Sequence, residues 1–265
     1  MPQMDVVDYE IHGDSMQYVE IELDPEEAAG AEAGGLMYME DGIEMETIFG
    51  DGSASSRGLM GALMGAGKRL LTGESLFMTV FANKGRGKLR VAFAAPYPGK
   101  ILPVSLPDVG GELIAQKDAF LAAAKGVSIG IAFQKKIGTA LFGGEGFIMQ
   151  RLEGDGLAFL HAGGNLHERT LAAGETLRVD TGCLVALQPS VDYDIQYVGK
   201  IKSALFGGEG LFFATLRGPG RIWLQSLPFS RMARRIYSAA PQTGGTRKGE
   251  GSVLGVVGDL LSGDR

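Results

Sequence analysis

Cysteine is all but missing from this chain: Cys183 stands alone, so no intrachain disulfide can form and no zinc site can draw on two thiolates. A fold that closes without disulfides suits a reducing compartment, and the expected location is cytoplasmic. Histidine is almost as scarce, at His12, His161 and His167. Asn165 and Leu166 precede His167, so the His-x-His pair used by jelly-roll metalloenzymes is missing. There is no basic excess either, since 25 Lys and Arg against 31 Asp and Glu give a formal charge of −6. A duplex binder concentrates Lys and Arg on one face, whereas here Lys135-Lys136 and Arg234-Arg235 are isolated pairs, so nucleic acid is not an expected partner. No run approaches the roughly 20 apolar residues that span a bilayer. MPQMDVVDYE carries acids where a secretory signal carries bases, so neither a signal peptide nor a transmembrane segment is expected.

Glycine, by contrast, is abundant. The 42 glycines in 265 residues are about double the usual share, without a collagen period and with only 10 prolines. Glycine at that density points to many tight turns, and many turns to many short strands. The strands are legible directly: YVEIEL (18–23), LMYME (36–40) and IEMETIF (43–49) alternate apolar and polar residues, with Asp41-Gly42 reading as a hairpin turn. Further strands are expected at 76–82, 88–95, 128–133, 147–152, 184–189, 193–198 and 211–216.

The chain also repeats itself. LFGGEG occurs at 141–146 and at 205–210, 64 residues apart (205 minus 141), and Gly154 and Gly156 fall on Gly218 and Gly220 at the same spacing. A weaker copy places Gly73, Glu74, Leu76, Phe77 and Met78 over Gly144, Glu145, Phe147, Ile148 and Met149, which aligns Glu74, Glu145 and Glu209, and Gly73, Gly144 and Gly208. A second acid recurs at Glu32, Asp118 and Asp180, because AEAGGLM (31–37) lies over VDTGCLV (179–185) with KDAFLAA (117–123) between. Three copies make an architecture. The expected organisation is repeat one over 1–97, repeat two over 98–160, repeat three over 161–227, a helix at 228–240 with Ser230 as N-cap, and a flexible linker and amphipathic tail over 241–265.

Two apolar segments stand outside the repeats. One is a glycine- and methionine-rich insertion at about 51–71, whose half RGLMGALMGAGKRLL (57–71) is a helical candidate; the other is the tail at 252–261. The insertion either buries inside its own fold, docks on a protein partner or lies peripherally on a membrane surface, and the tail is expected to dock on its own oligomer, a protein partner or a membrane surface. Gly67-Lys68 is not a phosphate loop, because Ala62 and Arg69 stand where that motif needs Gly and Ser or Thr.

Taken in order, AEAGGLMYM, TGESLF, PGK (98–100), FLAA, LFGGEGF, HAGGNLHERTLAAGETLRVDTGCLVA, LFGGEGL and GPGRIWLQS resemble one family over roughly residues 14–237. It is the family whose repeats are similar to the tryptophan RNA-binding attenuation protein (TRAP) and whose eukaryotic members are called mitochondrial biogenesis proteins. The resemblance implies an all-β fold of three tandem TRAP-like double-stranded β-helix, or jelly-roll-like, units with pseudo-threefold symmetry. It implies a bacterial member of unassigned molecular function. RNA binding does not carry over, since Lys84 and Arg86 match Glu153 and Asp155 in the second copy and Arg217 and Pro219 in the third.

The candidate sites are weak. Glu74, Glu145 and Glu209 would form a carboxylate cluster or cation site if symmetry gathers them, and otherwise each accepts backbone hydrogen bonds in its own turn, a structural role shared by Glu32, Asp118 and Asp180. The histidines read as surface or turn residues, and Trp223 and Cys183 as packed. No catalytic residue, cofactor or metal ligand is assigned. The expected function is a non-enzymatic β scaffold acting through self-association, as a homo-oligomer, or through a protein partner; the alternative is a small-ligand- or metal-binding jelly-roll.

Overall fold

The computed structural model describes residues 7–32, 34–49, 77–135, 147–198 and 211–240. The chain divides into two compact units, Met1–Ser230 and Arg231–Arg265. Every described strand lies in the first. β1 (Asp8–His12), β2 (Tyr18–Leu23), β3 (Ala28–Glu32), β4 (Leu36–Met39), β5 (Ile43–Phe49), β6 (Phe77–Asn83) and β7 (Leu89–Ala94) open the chain. β8 (Gly99–Ser105), β9 (Glu112–Gln116), β10 (Phe120–Ala124), β11 (Ser128–Lys135), β12 (Phe147–Glu153) and β13 (Leu157–Gly163) follow. β14 (Leu166–Leu171), β15 (Thr176–Asp180), β16 (Leu184–Leu187), β17 (Asp192–Val198), β18 (Leu211–Arg217) and β19 (Gly220–Gln225) complete the set. A single described α-helix, α1 (Phe229–Ala239), comes after them. It begins one residue before Ser230, which is therefore its second residue and not its cap.

The strands form four antiparallel sheets: β1-β2-β7-β4, β5-β6-β3-β10-β13-β8, β11-β12-β9-β16-β19-β14 and β15-β18-β17. Alternation marks strands with one face toward water, as in β2, where Val19, Ile21 and Leu23 are buried between half-buried neighbours. The inner strands lose that pattern. β10 (FLAAA) and β16 (LVAL) are buried at every position, because both faces and both edges are covered.

The turn at Asp41-Gly42 is present, with Gly42 at φ 99°, but β4 and β5 on either side belong to different sheets. The expected hairpin is thus a corner between two sheets. Consecutive strands do pair as hairpins in β5–β6, β11–β12 and β17–β18, as they do in β1–β2, and the ladders of these three run to Phe49 opposite Phe77, Lys135 opposite Phe147 and Val198 opposite Leu211. The connections of the three carry the Gly-Glu motifs and lie outside the described residues.

One bulged ladder recurs three times. Leu36 faces Phe93, a residue is skipped, and Tyr38 and Met39 then face Ala92 and Val91. Phe120, Ala122 and Ala123 meet Leu160, Phe159 and Ala158 in the same way, and Leu184, Ala186 and Leu187 meet Leu224, Trp223 and Ile222. A second pairing recurs between consecutive segments of the chain: Ala31 and Gly30 of β3 face Ala122 and Ala123 of β10, and Ala115 and Ile114 of β9 face Ala186 and Leu187 of β16. These joints turn two three-stranded halves into each six-stranded sheet. The β3–β10 joint uses small residues, and a Cβ on Gly30 would strike Cε of Met78.

Three apolar clusters form the core. One gathers Val19, Ile21, Phe81, Phe93 and Phe159, a second Leu106, Leu113, Leu152, Leu160 and Trp223, and a third Phe147, Met149, Leu184, Leu216 and Ile222.

Candidate functional site

The three strands at the skipped-residue ladder differ in one respect. β10 and β16 are wholly buried, while in β4 every residue is exposed: Leu36 by 38%, Met37 by 53%, Tyr38 by 37% and Met39 by 39%. The sequence of β4 is as apolar as theirs. The exposure comes from position, because β4 is the last strand of its sheet and its outer edge meets no described strand, whereas β10 is covered by β3 and β16 by β9. Met45 on the following strand adds a further apolar side chain, 56% exposed.

A second open edge lies on β15, the end strand of the three-stranded sheet. Its residues are exposed or half-buried, although the matching strands β3 and β9 are each buried at four of five positions. The match rests on pairing: Glu32, Gln116 and Asp180 face Met78, Met149 and Phe213.

That register places the expected recurring acids. Asp180 Oδ1 accepts the N–H of Gly182 at 2.9 Å, at the start of a 3-10 turn. The residue doing this in the preceding segment is Gln116, whose Oε1 accepts the N–H of Asp118 at 2.8 Å. Asp118 therefore sits two residues beyond the matching position and is itself held by Gln116 Nε2 at 3.2 Å. Glu32 ends β3, where loss of hydration and then the charge of Asp118 push its pKa up to about 7, against a smaller opposing pull from Lys117, even though much of the residue is exposed.

Glu74, Glu145, Glu209, Gly73, Gly144 and Gly208, together with the 51–71 insertion and the 252–261 tail, fall outside the described residues. Of the later glycines, Gly154 (φ 143°) and Gly220 (φ 147°) occupy backbone that side chains avoid. In the sequence alignment they hold the first place of one pair and the second of the other. A Cβ on Gly218 would strike the carbonyl of Ala172.

The histidines do not behave alike. His167 is exposed on β14, but His161 is 1% exposed within β13, so it is a core residue and not a turn or surface one. The two strands lie in different sheets. His161 packs edge-on against Tyr97 at 4.4 Å between centroids, and neither ring nitrogen has a hydrogen-bond partner among the described residues. Burial pushes its pKa down to about 4, opposed by the backbone of Tyr97, and burial likewise pushes Tyr97 up to about 12. Nothing in the sequence around Leu160-His161-Ala162 signals this. Trp223 is packed as expected, and Cys183 is half-buried in the 3-10 turn.

Together these features define a β-sheet protein whose most distinctive exposed surface is an apolar strand edge. Among the described residues no group of three or more His, Cys, Asp or Glu side chains could hold a metal ion, and no helix is long and apolar enough to cross a membrane. The family described as Mitochondrial biogenesis AIM24 matches residues 9–227, and the chain belongs to that family. An uncharacterized protein of Streptococcus pyogenes serotype M6 is 32% identical over 233 residues, covering 86% of this chain and 89% of the relative. The crystal structure of a Streptococcus pyogenes protein, 24% identical, matches with a TM-score of 0.68 over 88% of this chain and 100% of that one, a likeness of fold.

Proposed function

We propose that the chain is a non-enzymatic β scaffold that acts by self-association. The observation that carries this reading is the exposure of Leu36, Met37, Tyr38 and Met39 on a strand whose counterparts β10 and β16 are completely covered. An open apolar edge is a template for another strand, and natural sheets leave such edges uncovered where they serve an interface. The recurring ladders support an arrangement of three tandem units, with function located where the repetition breaks off.

Light scattering on the full chain tests the reading. The expected mass is a multiple of 27.9 kDa at micromolar concentration. A single-chain mass at high micromolar concentration overturns it. A thermal-shift series with divalent metals and small ligands covers the alternative of a ligand-binding jelly-roll. No rise in midpoint is expected under the scaffold reading, and a dose-dependent rise would transfer the function to that ligand.

A further inference from the structure

We infer that two copies of this chain join head to tail, β4 of one pairing antiparallel with β15 of the next, with Tyr38 opposite Val179 and Met39 opposite Arg178. The inference rests on the self-association reading above and gives it a specific joint.

The template is inside the chain. Its two internal joints pair the same kinds of strand in the same register: Ala31 with Ala122 and Gly30 with Ala123, then Ala115 with Ala186 and Ile114 with Leu187. On the donor side, Glu32, Gln116 and Asp180 match by their partners Met78, Met149 and Phe213, so Ala31, Ala115 and Val179 match one residue before them. On the acceptor side, the skipped-residue ladder matches Tyr38 with Ala122 and Ala186. Carrying the internal pairing one step further puts Val179 opposite Tyr38.

Both strands of this third joint have lost their cover. β4 is exposed where β10 and β16 are buried, and β15 is exposed or half-buried where β3 and β9 are mostly buried. The two edges are of opposite kind, one donor and one acceptor, so each is the piece that the other lacks. Within one chain they are not joined: the four-stranded sheet ending in β4 and the three-stranded sheet ending in β15 share no strand pairing. A second copy supplies what the first does not. Because the joint is heterologous, each added copy leaves one edge of each kind open, and assembly proceeds to a closed ring or to a filament.

Site-directed disulfide trapping tests this on the full chain carrying Cys183→Ser. Cα atoms of directly opposed antiparallel residues lie about 4.5 to 5.5 Å apart, within the range a disulfide bridges. Mixing the single variants Tyr38→Cys and Val179→Cys under mild oxidation is expected to give a covalent dimer on a non-reducing gel. Either variant alone should give none above background. The double variant should give a ladder of multimers. The pair Met39→Cys and Arg178→Cys repeats the test on the adjacent rung, in case loss of the Tyr38 hydroxyl contact to Glu20 disturbs β4. The inference is overturned if neither mixture cross-links, or if the double variants oxidise only within one chain, seen as a monomer with no free thiol. Light scattering on the unoxidised samples separates the two readings: a multimeric mass without trapping sinks this joint and leaves self-association standing, whereas a single-chain mass without trapping sinks both.

Discussion

Trp223 Nε1 donates a hydrogen bond of 3.0 Å to Glu168 Oε2 across the β14–β19 pair, where the two residues sit directly opposite each other. The indole is 2% exposed, and Arg221 lies over its ring with the guanidinium carbon 5.5 Å from the centroid. The bond gives the buried N–H an acceptor at the edge of the core, which is what a large aromatic with one polar atom requires. Glu168→Ala leaves that donor unpaired and is expected to cost about 1 to 3 kcal/mol in urea unfolding. Glu168→Gln keeps a carbonyl acceptor and should recover most of the loss. Equal losses in the two variants would show that the bond contributes nothing and that the ion pair of Glu168 Oε1 with Arg221 Nη1, 3.6 Å apart, dominates.

Asn83 is a second such lock, fully buried at the end of β6. Its Nδ2 donates to the carbonyls of Leu23 and Gly87, both at 2.8 Å, and its Oδ1 accepts the N–H of Gly85 at 2.9 Å. Replacing it with Ala strands all three backbone groups and should lower stability by roughly 2 to 4 kcal/mol. Asn83→Asp is expected to be worse at neutral pH, since a buried carboxylate would face two carbonyls, and to recover as acid protonates it. A flat pH response for the Asp variant would place the side chain in water.

Two groups tie stability to pH with opposite slopes. Glu32 titrates near 7 in the folded chain against 4.5 in the unfolded one, so its favourable contribution is complete below pH 4.5 and is lost as pH rises through 7. His161 titrates near 4 against 6.5, so its contribution is present above pH 6.5 and is lost as pH falls through 4. Thermal midpoints measured from pH 4 to 8 should show Glu32→Gln gaining stability relative to the parent on the alkaline side. His161→Leu should flatten the acid limb, where the shift corresponds to roughly 3 kcal/mol. Parallel pH profiles for parent and variants would remove both groups from the account.

Gly163 is required by contact, not by turn geometry. A Cβ there would strike the carbonyl of Leu227 and Cε2 of Tyr97, while at Gly87 nothing among the described residues lies within 4 Å of the added carbon. Gly163→Ala is expected to destabilise by about 1 to 3 kcal/mol and Gly87→Ala by less than about 0.5 kcal/mol. Chemical denaturation of the two variants side by side checks this, and similar midpoints would mean that the chain around Leu227 yields freely.

Much of the strand content was readable because alternation and a 64-residue spacing survive in the residues themselves. YVEIEL and IEMETIF appear at the expected positions as β2 and β5, and FIMQRL and LFFATL as the start of β12 and β18. The strands that escaped include exposed ones, β1, β14 and β15, as well as ones buried on both sides. AAGAE in β3 and LAFLHAG in β13 carry no period of two, since each is buried at all but one position. The recurring acid was misplaced by two residues at Asp118 because a glutamine does the same capping there, and a search for charge passes over Gln116.

The chain by itself determined that it would be a β protein of repeated hairpins, since side-chain alternation, glycine turns and repeat spacing are local properties. Only the tertiary structure decided which strands would be covered. LMYM, FLAAA and LVAL are equally apolar, yet the last two are sealed by β3 and β9 while β4 faces water. Burial of a strand edge depends on a partner far away in sequence, so no reading of those residues alone could distinguish the covered strands from the open one.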